Sequence, residues 1–362
     1  MAKMKLASLV LIMNSALCSC GVSAERQGQQ PSPATPETGQ AQSQPEKKQR
    51  AAVDPNKFAL IIAGVGGEEV YTKKFTAQAA SLYGALTERL GFDEKNVFML
   101  TEAVAGGPED GTRENVTRAT AEEARKAFAA IKQAAKPDSL VLVFLIGHGS
   151  FDAQAAKFNL IGPDLTAKDY AGLVGALPTQ KVIFVNCASS SGEFVKPLSG
   201  KDRIVITATR SGNEQNATIF AEHFIAALTD TAADADKNGR VSVLEAFNFA
   251  TKVTADWYKQ NNRLATEHAL IDDNGDGAGH EEAKEGDGVL AKTTYLDSKQ
   301  VEQAGADAEL AKLLAERQKL EEEVEKLKAR KEQMKADEYE AELERLLVEL
   351  ARVSQAIKAK QK

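Results

Sequence analysis

Residues 141 to 152 read VLVFLIGHGSFD, six apolar residues running straight into Gly147-His148-Gly149-Ser150. A run with no polar alternation marks a strand covered on both faces, and its abrupt end holds a histidine between two glycines. A second run, KVIFVNCASSSGEF from Lys181, ends the same way and delivers Cys187 into a turn of small residues. Between Phe58 and Thr209 stand three more apolar runs, FALIIAG, NVFMLTE and RIVITAT, with helical patterns such as FTAQAASLYGALTERLG and TAEEARKAFAAIKQAA among them. Strand and helix in alternation build crossover units. The expected fold class is α/β, a mainly parallel sheet with helices on both faces. Ligands of such sheets sit beyond the carboxyl ends of the strands, where His148 and Cys187 both fall.

The ends of the chain differ from its middle. Lys3 and Lys5 precede an apolar stretch from Leu6 to Leu17, too short for a membrane span of about 20 residues and of the signal-peptide type. Leu17-Cys18-Ser19-Cys20 resembles a bacterial lipobox, whereas Val22-Ser23-Ala24 resembles an ordinary processing site. The lipobox is preferred, which makes residues 1–20 a lipoprotein leader, places a lipid on Cys20 and leaves Cys187 as the one free thiol. From Glu25 to about Arg50 no apolar residue is larger than alanine, so residues 21–53 are expected to be a disordered tether. The implied location is the periplasmic side of a bacterial envelope membrane, with a soluble periplasmic or secreted protein as the alternative. A net charge of −7 without clustered basic residues argues against nucleic acid as a partner, since phosphate neutralisation needs such clusters.

The last sixty residues are rich in Glu, Lys, Ala and Leu, with no Gly or Pro after Gly305. Leu310, Leu313, Leu320, Val324, Leu327 and Met334 fall at heptad spacings, and Tyr339, Leu343, Leu346, Leu350, Val353 and Ile357 form a second register. The offset between them, near Lys335 to Glu338, is read as the turn of a coiled-coil helical hairpin over residues 299–362 rather than as a stutter in one helix. Its use would be to hold a partner or a second copy of the chain.

A thiol is a poor nucleophile until it loses its proton, and histidine is the usual base. Amides at the start of a helix after CASSSGEF would favour charge on sulfur, and the Gly149 and Cys187 amides would face an oxyanion. The plainer readings are a buried structural cysteine and a glycine-flanked turn. LIGHGS, an apolar strand followed by His-Gly-Ser, and VNCASSS, a strand delivering Cys with Ser two residues later, resemble the legumain-type cysteine peptidases of the caspase-like fold over roughly residues 57–228. The resemblance implies that residues 54–298 form a caspase-like peptidase domain. His148 would be the general base, Cys187 the nucleophile and Gly149 an oxyanion donor, hydrolysing a peptide or protein substrate through a thioester. That family's asparagine after the first strand has no counterpart in AGVGGEEVYTKK, where Thr72 comes nearest, and Lys74 could stand where the family has a basic residue.

DADKNGRVSVLE, Asp234 to Glu245, fits the twelve-residue calcium loop of an EF-hand, with Asp234, Asp236 and Asn238 at positions one, three and five and Gly239 at the sharp turn. Arg240 would give its carbonyl, Ser242 would act directly or through water, and Glu245 would supply the bidentate carboxylate. The alternative is an acidic turn that merely caps the next helix. DDNGDG repeats part of the pattern with Asp272, Asn274 and Asp276, but Ala283 stands at its twelfth position, which makes it the weaker Ca2+ site. His223, His268 and His280 show no metal-ligand spacing. Two functions follow: a calcium-stabilised cysteine endopeptidase, or a caspase-like scaffold of little or no turnover that binds through its coiled coil.

Overall fold

The computed structural model describes residues 50–103, 115–179, 181–283 and 286–361; the expected leader, Cys20 and nearly all of the tether lie outside the described residues. The strands are β1 (Lys57–Ala63), β2 (Val97–Thr101), β3 (Val116–Arg118), β4 (Leu140–Ile146), β5 (Gly149–Phe151), β6 (Ala156–Phe158), β7 (Leu165–Thr166), β8 (Val182–Asn186), β9 (Arg203–Thr207) and β10 (Leu270–Asp272). Seven of them form one sheet in the order β10-β9-β8-β4-β1-β2-β3. It is parallel throughout, except that β10 runs antiparallel to β9 at one edge. All five apolar runs are strands of this sheet. Short β3 and β10 lack such runs, as do β5, β6 and β7, which make a small antiparallel sheet of their own.

The apolar runs are continuous because both faces are covered. Along β4, Leu142, Phe144 and Ile146 enter one core, while Val141, Val143 and Leu145 enter the other. The first core is closed by α1 (Glu69–Gly84), α5 (Phe220–Ala227) and α6 (Val243–Gln260), through Phe75, Phe224 and Phe247. The second is closed by α2 (Ala121–Ala134), α3 (Ala167–Gly175) and the short α4 (Val195–Leu198), through Phe128, Tyr170 and Leu198. Each such side chain contributes about 1.5–3 kcal/mol on full burial, so these rows fix which way every strand faces. Thr120 caps α2, and capping boxes at Thr166/Asp169 and Ser242/Glu245 start α3 and α6, satisfying amides that helix geometry leaves open.

Beyond α7 (Val289–Thr293) and α8 (Lys299–Ala304), α9 (Ala308–Ala329) and α10 (Ala336–Lys360) fold back on each other. The chain turns at 330–335, and Lys360 at the end of α10 reaches Asp307 and Glu309 at the start of α9 (3.2 and 2.5 Å). Their seam buries Leu310, Leu314, Leu320, Val324 and Leu327 with Leu346, Val353 and Ile357. Leu314 thus takes the inner place expected of Leu313, which is only partly buried. Two adjacent leucines offer either register, and Leu314 is the one buried in the cluster formed by the terminal helices. No helix among the described residues is long and apolar enough to cross a membrane.

Candidate active site and acidic loops

Because β4 and β8 are neighbours, with Leu145 opposite Asn186, His148 and Cys187 leave the sheet side by side at its carboxyl end. They also share a face. Cys187 continues the row of Ile183 and Val185 into the first core. His148 lies against α1, its ring edge-on to Tyr71 and Phe75 with centroids 4.8 and 5.1 Å away.

The imidazole is half-buried, and that burial holds its pKa below the ordinary value, against the Gly66 carbonyl to which it hydrogen-bonds and the Glu68 carboxylate. A ring that donates to a carbonyl keeps its other nitrogen as a lone-pair base. Thr72 does not take the role of the expected asparagine, since its hydroxyl donates to the Glu68 carbonyl (3.3 Å) and to the Glu102 carboxylate (2.6 Å). Lys74 reaches the Thr218 carbonyl at 3.5 Å.

Sulfur is closed in. Cys187 is 1 % exposed, and burial, with the Glu267 carboxylate, pushes its thiol well above the ordinary range. The Thr218 hydroxyl donates to its carbonyl. Residues 209–214 are laced to the turn after it by Ser190 N–H to the Glu214 carbonyl (2.8 Å), the Ser190 hydroxyl to the Gly212 carbonyl (3.0 Å) and Gly192 N–H to Thr209 Oγ1 (3.0 Å). The turn leads into a four-residue 3-10 segment and then α4.

The expected oxyanion donors are both engaged. Cys187 N–H continues the sheet ladder to the Leu145 carbonyl (2.9 Å), so it points along the sheet and not into a cleft. Gly149 N–H donates to Ser189 Oγ (3.1 Å), and the Ser189 hydroxyl donates back to the Gly149 carbonyl (3.0 Å). Position 149 has to be glycine: a Cβ there would stand 2.5 Å from the Ser189 carbonyl oxygen. Sequence reasoning passed over Gly66, Glu102 and Ser189 as members of this site. Ser189 alone was visible, in the CASSS turn.

Glu267 lies beneath the turn, accepting the Ile219 and Phe220 amides (2.9 and 3.1 Å) and the Tyr258 hydroxyl (3.0 Å); burial raises its pKa. His268 pairs with Glu214 and His280 with Asp287 (2.5 and 2.6 Å), while His223 is half-buried on α5. None of the three joins the described acidic cluster.

In the first acidic loop, carboxylate oxygens of Asp234, Asp236 and Glu245 lie within 4.8 Å of one another. Asp234 accepts the Asn238 and Gly239 amides (3.1 and 2.8 Å). Glu245 accepts Ala235 and Asp236 amides on one oxygen (2.9 and 3.2 Å) and the Ser242 amide and hydroxyl on the other (2.9 and 2.8 Å). The loop and the capping role of Ser242 therefore coexist. Arg240 turns its side chain away to Asp297 (2.8 Å) and over the Tyr295 ring, leaving only its main chain to the loop. Three convergent carboxylates form an all-oxygen donor set of the kind that suits a hard divalent cation.

The second loop also accepts its own amides but, among the described residues, lacks that convergence of acids. Asp272 accepts the Gly275 and Gly277 amides (3.0 and 3.2 Å), Asn274 the Asp276 amide (2.8 Å) and Asp276 the Ala278 amide (2.8 Å). Buried Asp287 closes it, taking the Asp273 and Asn274 amides (2.9 and 3.3 Å) as well as His280. Among the described residues this loop brings no three acidic groups together. Neither a protein-family model nor a curated protein sequence matches this chain.

Proposed function

We propose that the chain is a cysteine endopeptidase of the legumain-like, caspase-fold type, described here in a closed state. The observation that carries this is the placement of His148 and Cys187 on one face at adjacent carboxyl ends of β4 and β8, with the imidazole half-buried and its pKa held down by that burial. Once sulfur is uncovered, His148 takes its proton and sulfur attacks the scissile carbonyl carbon. The imidazolium then returns the proton to the departing amine as the C–N bond breaks, and water hydrolyses the thioester with His148 again as base. Turnover would require the turn around Cys187 to open, with release of the Thr218 bond to the Cys187 carbonyl and of Ser189 from the Gly149 amide. Ca2+ in the 234–245 loop would stiffen the start of α6, and a lipid on Cys20 would tether the body to a membrane.

The fully buried sulfur favours a second reading, a caspase-like scaffold that associates through the α9–α10 pair. Cleavage of a mixed peptide library by wild type beside Cys187→Ala separates the two. The peptidase reading expects a loss of about a thousandfold or more in the variant, whereas identical profiles support the scaffold. Labelling by an electrophilic peptide should also slow in His148→Ala, because thiolate supply depends on the base.

A further inference from the structure

The asparagine that the resemblance led us to expect is absent, and the ring is instead served by a main-chain carbonyl. A carbonyl on a glycine-rich loop orients nothing unless the loop itself is held. Its amino-terminal part is stitched to the sheet end by Gly64 N–H to the Ile146 carbonyl (2.9 Å) and Val65 N–H to the Asn159 carbonyl (3.2 Å), and Asn159 N–H in turn takes the His148 carbonyl (3.0 Å). At Gly66 a different group takes over. One oxygen of Glu102, the residue just past β2, accepts Gly66 N–H at 2.9 Å and the Thr72 hydroxyl at 2.6 Å. Helix α1 begins at Glu69 with no side-chain cap of its own. Glu102 therefore joins the loop that carries the carbonyl to the first turn of the helix that carries Tyr71 and Phe75, the two rings on which His148 rests. The approach is close: a Cβ on Gly66 would stand 2.3 Å from the Thr72 nitrogen and 2.6 Å from its hydroxyl oxygen.

We propose that Glu102 is the positioning residue of the imidazole, clamping Gly66 to Thr72 at the first turn of α1, so that the Tyr71 and Phe75 rings and the Gly66 carbonyl together hold the plane in which His148 can serve as a base. The proposal rests on His148 being the base of the reading above, although the clamp itself is a matter of geometry. An acceptor-only carboxylate suits the task, because both partners are donors. The task needs an oxygen in that place, and it does not need the charge. With the clamp gone the carbonyl drifts and the ring loses the partner that favours its protonated form, leaving burial opposed only by Glu68, the charged group acting on it.

The test is a titration of the full chain with isotope-labelled histidine, followed by NMR. His148 is assigned among the four histidines by the signal missing from His148→Gln. In Glu102→Ala the His148 midpoint should fall by about half a unit or more, and the fixed tautomer should give way to a mixture. Glu102→Gln keeps an acceptor oxygen and should titrate as wild type. Gly66→Ala, which forces the loop off Thr72 with Glu102 intact, should reproduce the Glu102→Ala shift and serves if that variant does not fold. With a cleavable peptide, kcat should fall about tenfold in Glu102→Ala with KM nearly unchanged, and Glu102→Gln should restore it. The proposal is overturned if Glu102→Ala titrates as wild type, or if Glu102→Gln behaves as Glu102→Ala, which would make the charge and not the position decisive. A wild type that cleaves nothing sinks the peptidase reading while the titration still judges the clamp.

Discussion

The two ends of the sheet invert the usual relation between space and chemistry. At the amino end, between the body and α9, lies a cavity of about 770 Å³ lined by Lys57, Lys181, Arg240, Tyr295, Gln318 and Glu322 among others. At the carboxyl end stand His148 and Cys187, with sulfur 1 % exposed and the nearby amides engaged. A cavity of that size is the ordinary first guess for a site. Here its two most buried cations are already matched. Lys57 donates to the Leu90, Leu296 and Asp297 carbonyls (3.2, 2.9 and 2.7 Å), and Arg240 is paired with Asp297. The open end's buried cations serve structural partners, whereas the closed end sets a half-buried imidazole beside a buried free thiol. On the peptidase reading, paired groups on neighbouring strand ends outweigh volume as a guide to the site.

The comparison breaks most sharply at Lys57. It is almost fully buried, and that burial lowers its pKa to about 8 from an ordinary 10.5. Between those values the unfolded chain holds more protons than the folded one, so the lysine's contribution to stability rises with pH across that window and is smallest below about pH 8. Lys57→Met would orphan three carbonyls and should cost about 2–4 kcal/mol in urea unfolding. The gap to wild type should widen from pH 8 towards pH 10.5. A variant equal to wild type at both pH values would mean that these carbonyls do not depend on the lysine and that the cavity end is not held by it.

The next effect concerns the acidic loop, which touches the same end of the molecule through Arg240 and Tyr295. Glu245→Gln should weaken Ca2+ binding by about tenfold or more in calorimetry, because it removes the carboxylate that converges with Asp234 and Asp236. Asp272→Asn should leave Ca2+ stoichiometry unchanged, since among the described residues the second loop brings no three acidic groups together. Equal affinities for wild type and Glu245→Gln would refute the ligand assignment.

Legibility in the sequence followed physical scale. Strands covered on both faces announce themselves as apolar runs, and β1, β2, β4, β8 and β9 could be read directly. Strands β3 and β10 are three residues each and carry no run that separates them from loops. The His148–Cys187 pair was legible because topology puts strand ends together. Its supports were not: Glu102 and Gly66 lie 36 residues apart, and no periodicity links an acid after one strand to an amide after another. Likewise Asp287 lies eleven residues beyond the last acid of DDNGDG, Asp276, so its closing role emerges only from the fold. Burial of sulfur was equally out of reach, because it depends on how residues 209–218 lie over the turn.

The smallest expected effect is the most direct probe of the closed end. Ser189 Oγ stands 3.1 Å from Gly149 N, near the place a developing oxyanion would need. On the peptidase reading the hydroxyl would compete with substrate for the amide, and the competition would be local because Ser189 also donates to the Gly149 carbonyl. A bond of this kind is worth about 0.5–1.5 kcal/mol net, so its removal can alter a rate by only a few-fold. Ser189→Ala should therefore raise kcat/KM by about threefold, with little change in melting temperature, if the closed state must release this amide before turnover. A fall in kcat/KM would instead make the hydroxyl a brace that holds the Cys187 turn against His148. The obstacle to reaction would then lie with Thr218 and the segment over the sulfur, and not with the amide.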